Sequence, residues 1–419
     1  MEEQGAPSVQ PELVHREAVP LHQYPQWEVV KLDVPVGNFS QIRFGKVNEN
    51  TIRGAEPDWD HIVFKRVAID SFRLLQGVAH NLAFRELKAL RMFSDTGFAA
   101  ELLSAFMATA AFDKEFNVTR DANTKGVYIV TRYLPCLSMH YFDKVITLER
   151  AEALLSQLYD AIVYMREFGV SHRDIKPANL LIDDSGAAVR LVLIDFGECA
   201  PVQHQRKRHG QFSTCGTFFY AAPELVDGGV SSSCDFWSLA AVAVYFMQRM
   251  LPDDGKHTTL RKFPHPIKPN VQRDYHYMVT RAKKYFSCLH QHFGFSLEDL
   301  SVYRFAPEIS ESQSLVTPQQ FSIPFTLANL ESAVIDNIAD FKDSTIQRAA
   351  SAGLNLDHTK RPLNVAKVFG FDTVPEIGSK NPQTNDEWRF DGAANYQRRR
   401  DMLQWPPYEP CHSAVRATR

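Results

Sequence analysis

The alternation of hydrophobic and polar positions changes character along the chain and divides it before any motif is considered. Residues 1–26 are rich in Pro, Glu and Gln without periodicity, the pattern of a flexible N-terminal tail. From Trp27 to Arg132 short apolar runs predict strands at Val29–Leu32, Ile62–Val67 and Val127–Arg132. Between them Leu82, Leu87, Leu90 and Phe93 recur near one helical face. After Tyr133-Leu134-Pro135 helical spacing takes over: Leu154, Leu155, Leu158, Ile162 and Met165 predict a helix that Gly169 stops. Two short strands, Leu180–Ile182 and Val189–Ile194, flank an Asp183-Asp184-Ser185-Gly186 turn. The run Leu239–Met247 is apolar all round, as a helix buried on every side requires. From about Phe371 Asn, Pro, Gln and Arg dominate, including Arg398-Arg399-Arg400, and predict a loosely attached tail over 371–419. The pattern therefore predicts a small, mainly β unit with one helix over 27–134 and a larger helical unit over 135–370. No internal repeat is visible.

Composition adds limits. A chain of 419 residues with 44% hydrophobic and 23% charged residues has ordinary globular make-up and enough apolar material for a sizeable core. The net charge of −3 offers no basic field for nucleic acid. Cys136, Cys199, Cys215, Cys234, Cys288 and Cys411 include no CxxC pair, which argues against a zinc module or disulfide framework and fits a reducing compartment. The N-terminus lacks the basic and apolar regions of a signal peptide, and Leu239–Met247 is far shorter than the about 20 residues that span a bilayer. The expectation is an intracellular protein, cytoplasmic or nuclear, with no nucleic-acid or membrane partner; its oligomeric state is left open.

The strongest chemical signal is His172-Arg173-Asp174-Ile175-Lys176-Pro177-Ala178-Asn179, followed at the end of a predicted strand by Asp195-Phe196-Gly197. On these residues the chain resembles the eukaryotic protein kinase superfamily over roughly residues 27–370. The resemblance implies an α+β, bilobal fold: a small β-rich N-lobe with one regulatory helix, a larger α-helical C-lobe, and ATP in the cleft between them. It also implies phosphoryl transfer, in which a protein mainly positions groups and neutralises charge. In that scheme Asp174 accepts the proton of the incoming hydroxyl and Lys176 sets a cation beside the moving phosphoryl group. Asn179 and Asp195 offer the hard oxygens that Mg²⁺ prefers. The Asp-x-Lys pattern resembles that of serine/threonine kinases.

Downstream, Thr214-Cys215-Gly216-Thr217-Phe218-Phe219-Tyr220-Ala221-Ala222-Pro223-Glu224 is similar to the end of the family's activation segment. Small-molecule kinases of related fold lack this platform, so its presence implies protein substrates bearing Ser or Thr. The resemblance gives Thr217 a hydrogen bond near Asp174 and Lys176, gives Asp235 the catalytic-loop backbone, and pairs Arg361 with Glu224. Ser213, four residues before Thr217, stands at the family's usual phosphorylation site, where a phosphate would meet Arg173. The basic run Arg206-Lys207-Arg208 reads as a solvated loop.

The match weakens at the nucleotide end. The best counterpart of the glycine-rich loop is Val34–Ile42, where Pro35 and Ser40 replace the outer glycines and only Gly37 remains. Lys65 matches the strand lysine that holds the α- and β-phosphates, with Glu86 as its helix partner. Val63 stands where a smaller alanine usually roofs the adenine. The resemblance further implies an enlarged loop within Asn48–Asp60, Thr131 at the back of the adenine pocket, and Tyr133 and Leu134 in the interlobe hinge. The nucleotide contacts implied are thus Gly37, Ile42, Val63, Lys65, Thr131, Tyr133, Leu134, Asn179 and Asp195, with Asp174, Lys176, Lys65 and Glu86 as the catalytic set. The alternatives are a pseudokinase scaffold, which the altered loop favours, and a small-molecule kinase. The long stretch from Asp235 to Arg361 predicts an insertion around 255–325, within which Tyr275–His292 reads as a helix.

Overall fold

The computed structural model describes residues 27–30, 41–47, 61–69, 78–94, 96–108, 110–112, 118–120, 125–134, 145–183, 189–201, 216–227, 229, 231–261, 275–306 and 325–374. These fall into two compact units, residues 27–94 with Ala100–Leu134, and Thr96–Ala99 with the residues from 145 onward.

In the first unit β1 (Trp27–Val30), β2 (Gln41–Val47) and β3 (His61–Ile69) precede helix α1 (Val78–Phe93), and β4 (Leu102–Ala108) follows it. The short β5 (Ala110–Phe112) and β6 (Val118–Arg120) pair with one another, and β7 (Lys125–Arg132) returns to the main sheet. That sheet is antiparallel, in the order β1-β2-β3-β7-β4. Strand β3 is rich in β-branched and aromatic residues, and burial alternates along it: Ile62, Phe64 and Arg66 are buried, whereas Val63, Lys65 and Val67 are partly exposed. Strand β4 is not evident in the sequence. Its Leu-Leu-Ser-Ala-Phe-Met-Ala run has no β-branched residue, and its pairing with β7 slips between Leu102 and Ser104. Helix α1 starts four residues before Leu82 and buries Leu87, Leu90 and Phe93.

The second unit opens with Thr96–Ala99, whose Phe98 carbonyl accepts from the Leu193 amide and whose ring packs edge-on against Tyr164. Helix α2 (Leu148–Glu167) is capped by the Thr147 hydroxyl and buries all five residues that predicted it. It ends at Phe168, and Gly169 takes the left-handed φ of 67° that turns the chain into β8 (Val170–Ser171). The hairpin β9 (Leu180–Asp183) and β10 (Arg190–Leu193) pairs Leu180 with Leu193, and β11 (Ala200–Pro201) pairs with β8. After the single turn α3 (Pro223–Val226) comes α4 (Cys234–Met250), in which every residue except Tyr245 and Arg249 is buried.

The remaining helices are α5 (Thr258–Arg261), α6 (Tyr275–Phe293), α7 (Leu297–Leu300), α8 (Leu327–Asn337), α9 (Thr345–Gly353) and α10 (Arg361–Val368); α5, α8, α9 and α10 pack on α4, whereas α7 packs on α6. Helix α9 approaches α4 so closely that a Cβ on Gly353 would lie 2.6 Å from the Phe236 carbonyl oxygen. The expected tail does not begin loosely, since the rings of Phe369 and Phe371 both stack on buried Tyr159. Residues 1–26 and 375–419 lie outside the described residues.

Candidate active site

In the second unit the site is built from the bottom of α4. Asp235, in its first turn, is buried, and each carboxylate oxygen accepts a backbone N–H: His172 at 2.7 Å and Arg173 at 2.8 Å. Burial pushes the Asp235 carboxyl up, opposed by neighbouring His172 and by these two donors. Burial pushes the His172 pKa down, which favours the neutral imidazole. Its Nε2 faces the Ile194 carbonyl at 3.2 Å and therefore carries the proton, leaving Nδ1 to accept from the Asp174 amide at 3.3 Å. Between them Arg173 has φ of 67°, a left-handed conformation unfavourable for a side chain of this size. The hydrogen bonds to Asp235 hold that turn, and the turn aims Asp174.

Both oxygens of Asp174 are engaged. Lys176 Nζ donates to Oδ2 at 2.7 Å, Thr217 Oγ1 donates to Oδ1 at 2.8 Å, and Lys176 also donates to Thr217 Oγ1 at 2.8 Å. The Asn179 amide nitrogen donates to the Asp174 carbonyl at 2.8 Å and to Oδ2 at 3.2 Å, which turns its carboxamide oxygen away from Asp174. The β9–β10 hairpin brings the metal-binding candidates together. Asn179 precedes β9, Asp195 follows β10, and the Ile194 amide donates to the Asn179 carbonyl at 3.0 Å. Asp195 itself has φ of 64°, and Phe196 beyond it is fully buried, its ring edge-on to His172. Arg173 Nε donates to the Glu198 carbonyl at 2.6 Å, and its guanidinium lies 3.9 Å from the Glu198 carboxylate.

The loop 216–222 is fitted against this assembly. Gly216 has φ of 83°, and a Cβ there would fall 2.6 Å from the Arg173 carbonyl oxygen, so glycine is required twice over. Farther along, Ser238 of α4 donates to the Tyr220 carbonyl at 2.7 Å. Glu224, opening α3, receives a two-pronged contact from Arg361, at 2.6 and 3.0 Å, and the arginine is fully buried. Ser213 and Arg206-Lys207-Arg208 lie outside the described residues.

In the first unit Lys65 Nζ bonds Glu86 at 2.7 Å, with side-chain exposures of 14% and 5%. Ile42 is the register partner of Lys65, and Thr131 that of Val63. Directly opposed residues share a face, as do alternate residues of one strand. Ile42, Val63, Lys65 and Thr131 therefore line one face, all only half-buried, with Tyr133 and Leu134 following β7. Gly37 lies outside the described residues.

Several contributors carried no local signal. Ser238, Glu198 and Tyr285 act on backbone carbonyls or on Arg173 from positions that only the fold brings near. Among the described residues no group of three or more His, Cys, Asp or Glu side chains could enclose a metal. A magnesium ion that keeps waters and binds phosphate requires only one carboxylate and one amide oxygen from the protein, and Asp195 and Asn179 supply that donor chemistry. Among the described residues no helix is long and apolar enough to cross a membrane.

A model of the protein kinase domain matches residues 55–291. The chain is similar to CBL-interacting protein kinase 21 of Oryza sativa subsp. japonica, 33% identical over 174 residues, covering 38% of this chain and 32% of that protein. It is also similar to maternal embryonic leucine zipper kinase of Xenopus laevis, 36% identical over 137 residues, covering 31% of this chain and 20% of that protein. CBL-interacting protein kinase 9 of the same rice is 35% identical over 173 residues, 39% of this chain and 36% of that protein. The chain thus spans only a fifth to about a third of the length of the curated relatives it matches.

Proposed function

The chain belongs to the protein kinase domain family, and from that premise we propose that it transfers the γ-phosphate of ATP to serine or threonine hydroxyls of proteins. The state of Asp174 carries this reading. Its carboxylate is fixed by Lys176, Thr217 and Asn179, an arrangement suited to one directed proton transfer. In the step proposed, the acceptor oxygen bonds to the γ-phosphorus as the bond to the bridging oxygen of ADP breaks, and Asp174 takes the hydroxyl proton. Lys176, already beside Asp174, offers positive charge to the transferred group. Thr217 links that ammonium to the loop 216–222, which is the platform proposed to dock the acceptor peptide.

Asn179 and Asp195 would hold magnesium, which when bound neutralises phosphate charge. Lys65 is proposed to contact the α- and β-phosphates, with Glu86 fixing the ammonium, while Ile42, Val63, Thr131, Tyr133 and Leu134 contact the base. The roles of these residues are supported by the shared sheet face and by the lysine–glutamate bond.

The test is phosphate transfer from radiolabelled ATP by the wild type and Asp174→Asn. Loss of a positioned base lowers the rate by about 10²–10⁴, whereas equal background from both proteins favours the pseudokinase scaffold. Mass spectrometry of a peptide library after incubation separates a protein kinase from a small-molecule kinase, since only the former yields phosphopeptides.

A further inference from the structure

Helix α6 lies in the long segment after α4 for which the sequence suggested no task. Two of its residues, Arg281 and Tyr285, are one turn apart and so share a helix face. That face meets the loop that follows Thr217. The Tyr285 hydroxyl donates to the Ala221 carbonyl at 2.7 Å, and Tyr285 is 1% exposed. The Tyr285 ring centroid is 5.8 Å from that of Phe218, and the Arg281 guanidinium carbon lies 4.1 Å from the same Phe218 centroid. The loop is thus gripped at three neighbouring positions, Phe218 and Ala221 by α6 and Tyr220 by Ser238 of α4. Such support matters because Phe219, between the gripped residues, has φ of 77°, a backbone state that relaxes unless its surroundings hold it.

We propose that Tyr285 and Arg281 are positioning residues: through Ala221 and Phe218 they hold the loop in the shape that receives the acceptor peptide. The inference rests on the kinase reading and deepens it by assigning α6 to acceptor binding. Neither residue is proposed to touch ATP or the transferred phosphoryl group. Their influence should therefore divide the kinetics, altering the acceptor term while sparing the nucleotide term.

The experiment uses the full chain carrying Tyr285→Phe, which removes the hydroxyl and keeps the ring. Two quantities are read: hydrogen exchange of the amides in Gly216–Ala222, and apparent KM values for MgATP and for a degenerate serine- and threonine-centred peptide library. The expected result is faster exchange confined to that loop and a peptide KM raised about tenfold, the effect of one buried hydrogen bond. The KM for MgATP should stay within about twofold of wild type. Arg281→Ala carries the same test should Tyr285→Phe not fold, and Arg281→Lys, which keeps a cation over Phe218, should recover part of the loss. Loop exchange unaltered by these variants overturns the brace itself. Faster exchange with an unchanged peptide KM, or a parallel rise in both KM values, overturns its role in acceptor binding. A wild type that transfers no phosphate to any peptide, yet shows the exchange effect in the variant, sinks the kinase reading and leaves α6 a structural brace only.

Discussion

Replacing Arg361 by Met should destabilise the second unit far more than its place at the start of a short helix suggests. The guanidinium has no exposed surface; it bonds both oxygens of Glu224, donates to the Asn355 carbonyl at 2.5 Å, and lies 5.1 Å from the Trp237 ring centroid. Methionine of similar reach fills part of the volume but leaves the Glu224 carboxylate, 11% exposed, without its counter-charge. Removing one partner of a buried ion pair costs about 3–5 kcal/mol, because the remaining charge cannot regain its hydration. With a urea m-value of about 3 kcal/mol/M, the unfolding midpoint should fall by about 1 M or more. Replacing both residues, Glu224→Leu with Arg361→Met, removes the stranded charge. The double variant should therefore be more stable than the sum of the single losses predicts, with a coupling of about 2 kcal/mol or more. Equilibrium urea unfolding, followed by tryptophan fluorescence and circular dichroism together, measures all four proteins. A loss below about 1 kcal/mol for Arg361→Met, or strictly additive losses, would refute the idea that this pair is buried and mutually dependent.

Two further perturbations test the packing and electrostatics. Gly353→Ala places a Cβ 2.6 Å from the Phe236 carbonyl oxygen and 2.7 Å from Ala240 Cβ, so α9 and α4 must separate; a loss of about 1–3 kcal/mol in thermal or urea unfolding is expected. Lys88, in α1, is held down to a pKa of about 8 by burial and by the neighbouring Arg91. Its folded pKa lies below the ordinary lysine value, so the unfolded chain binds the extra proton between pH 8 and about 10.4, and stability contributed by this residue rises with pH across that window. Lys88→Met should therefore raise the thermal midpoint at pH 7, with an advantage that shrinks as the pH approaches 10; an advantage independent of pH would contradict the assignment.

Much of this protein was written in local order. Elements with strong period, such as α2 with Leu154, Leu158 and Ile162, form where the pattern places them, because burial of a repeating apolar face is a local instruction, and the apolar run Ile62–Val67 falls within β3. The 172–179 loop was equally legible as a cluster, since its polar residues stand at close spacing, and the structure brings Asp174, Lys176 and Asn179 into mutual contact. Strand β4 was not legible, because its residues have weak intrinsic preference and, among the described residues, β7 alone supplies its pairing.

What only the tertiary structure decided is which distant groups meet. Asp235 could be assigned to the loop backbone by resemblance, but the two N–H bonds and the left-handed Arg173 they sustain exist only when α4 is buried beneath that loop. Tyr285 is 64 residues from Ala221, and no periodicity relates them. The physical reason is one of range: side-chain pattern specifies which surface a segment must hide, whereas hydrogen bonds at about 3 Å are set by the packing of several such segments at once.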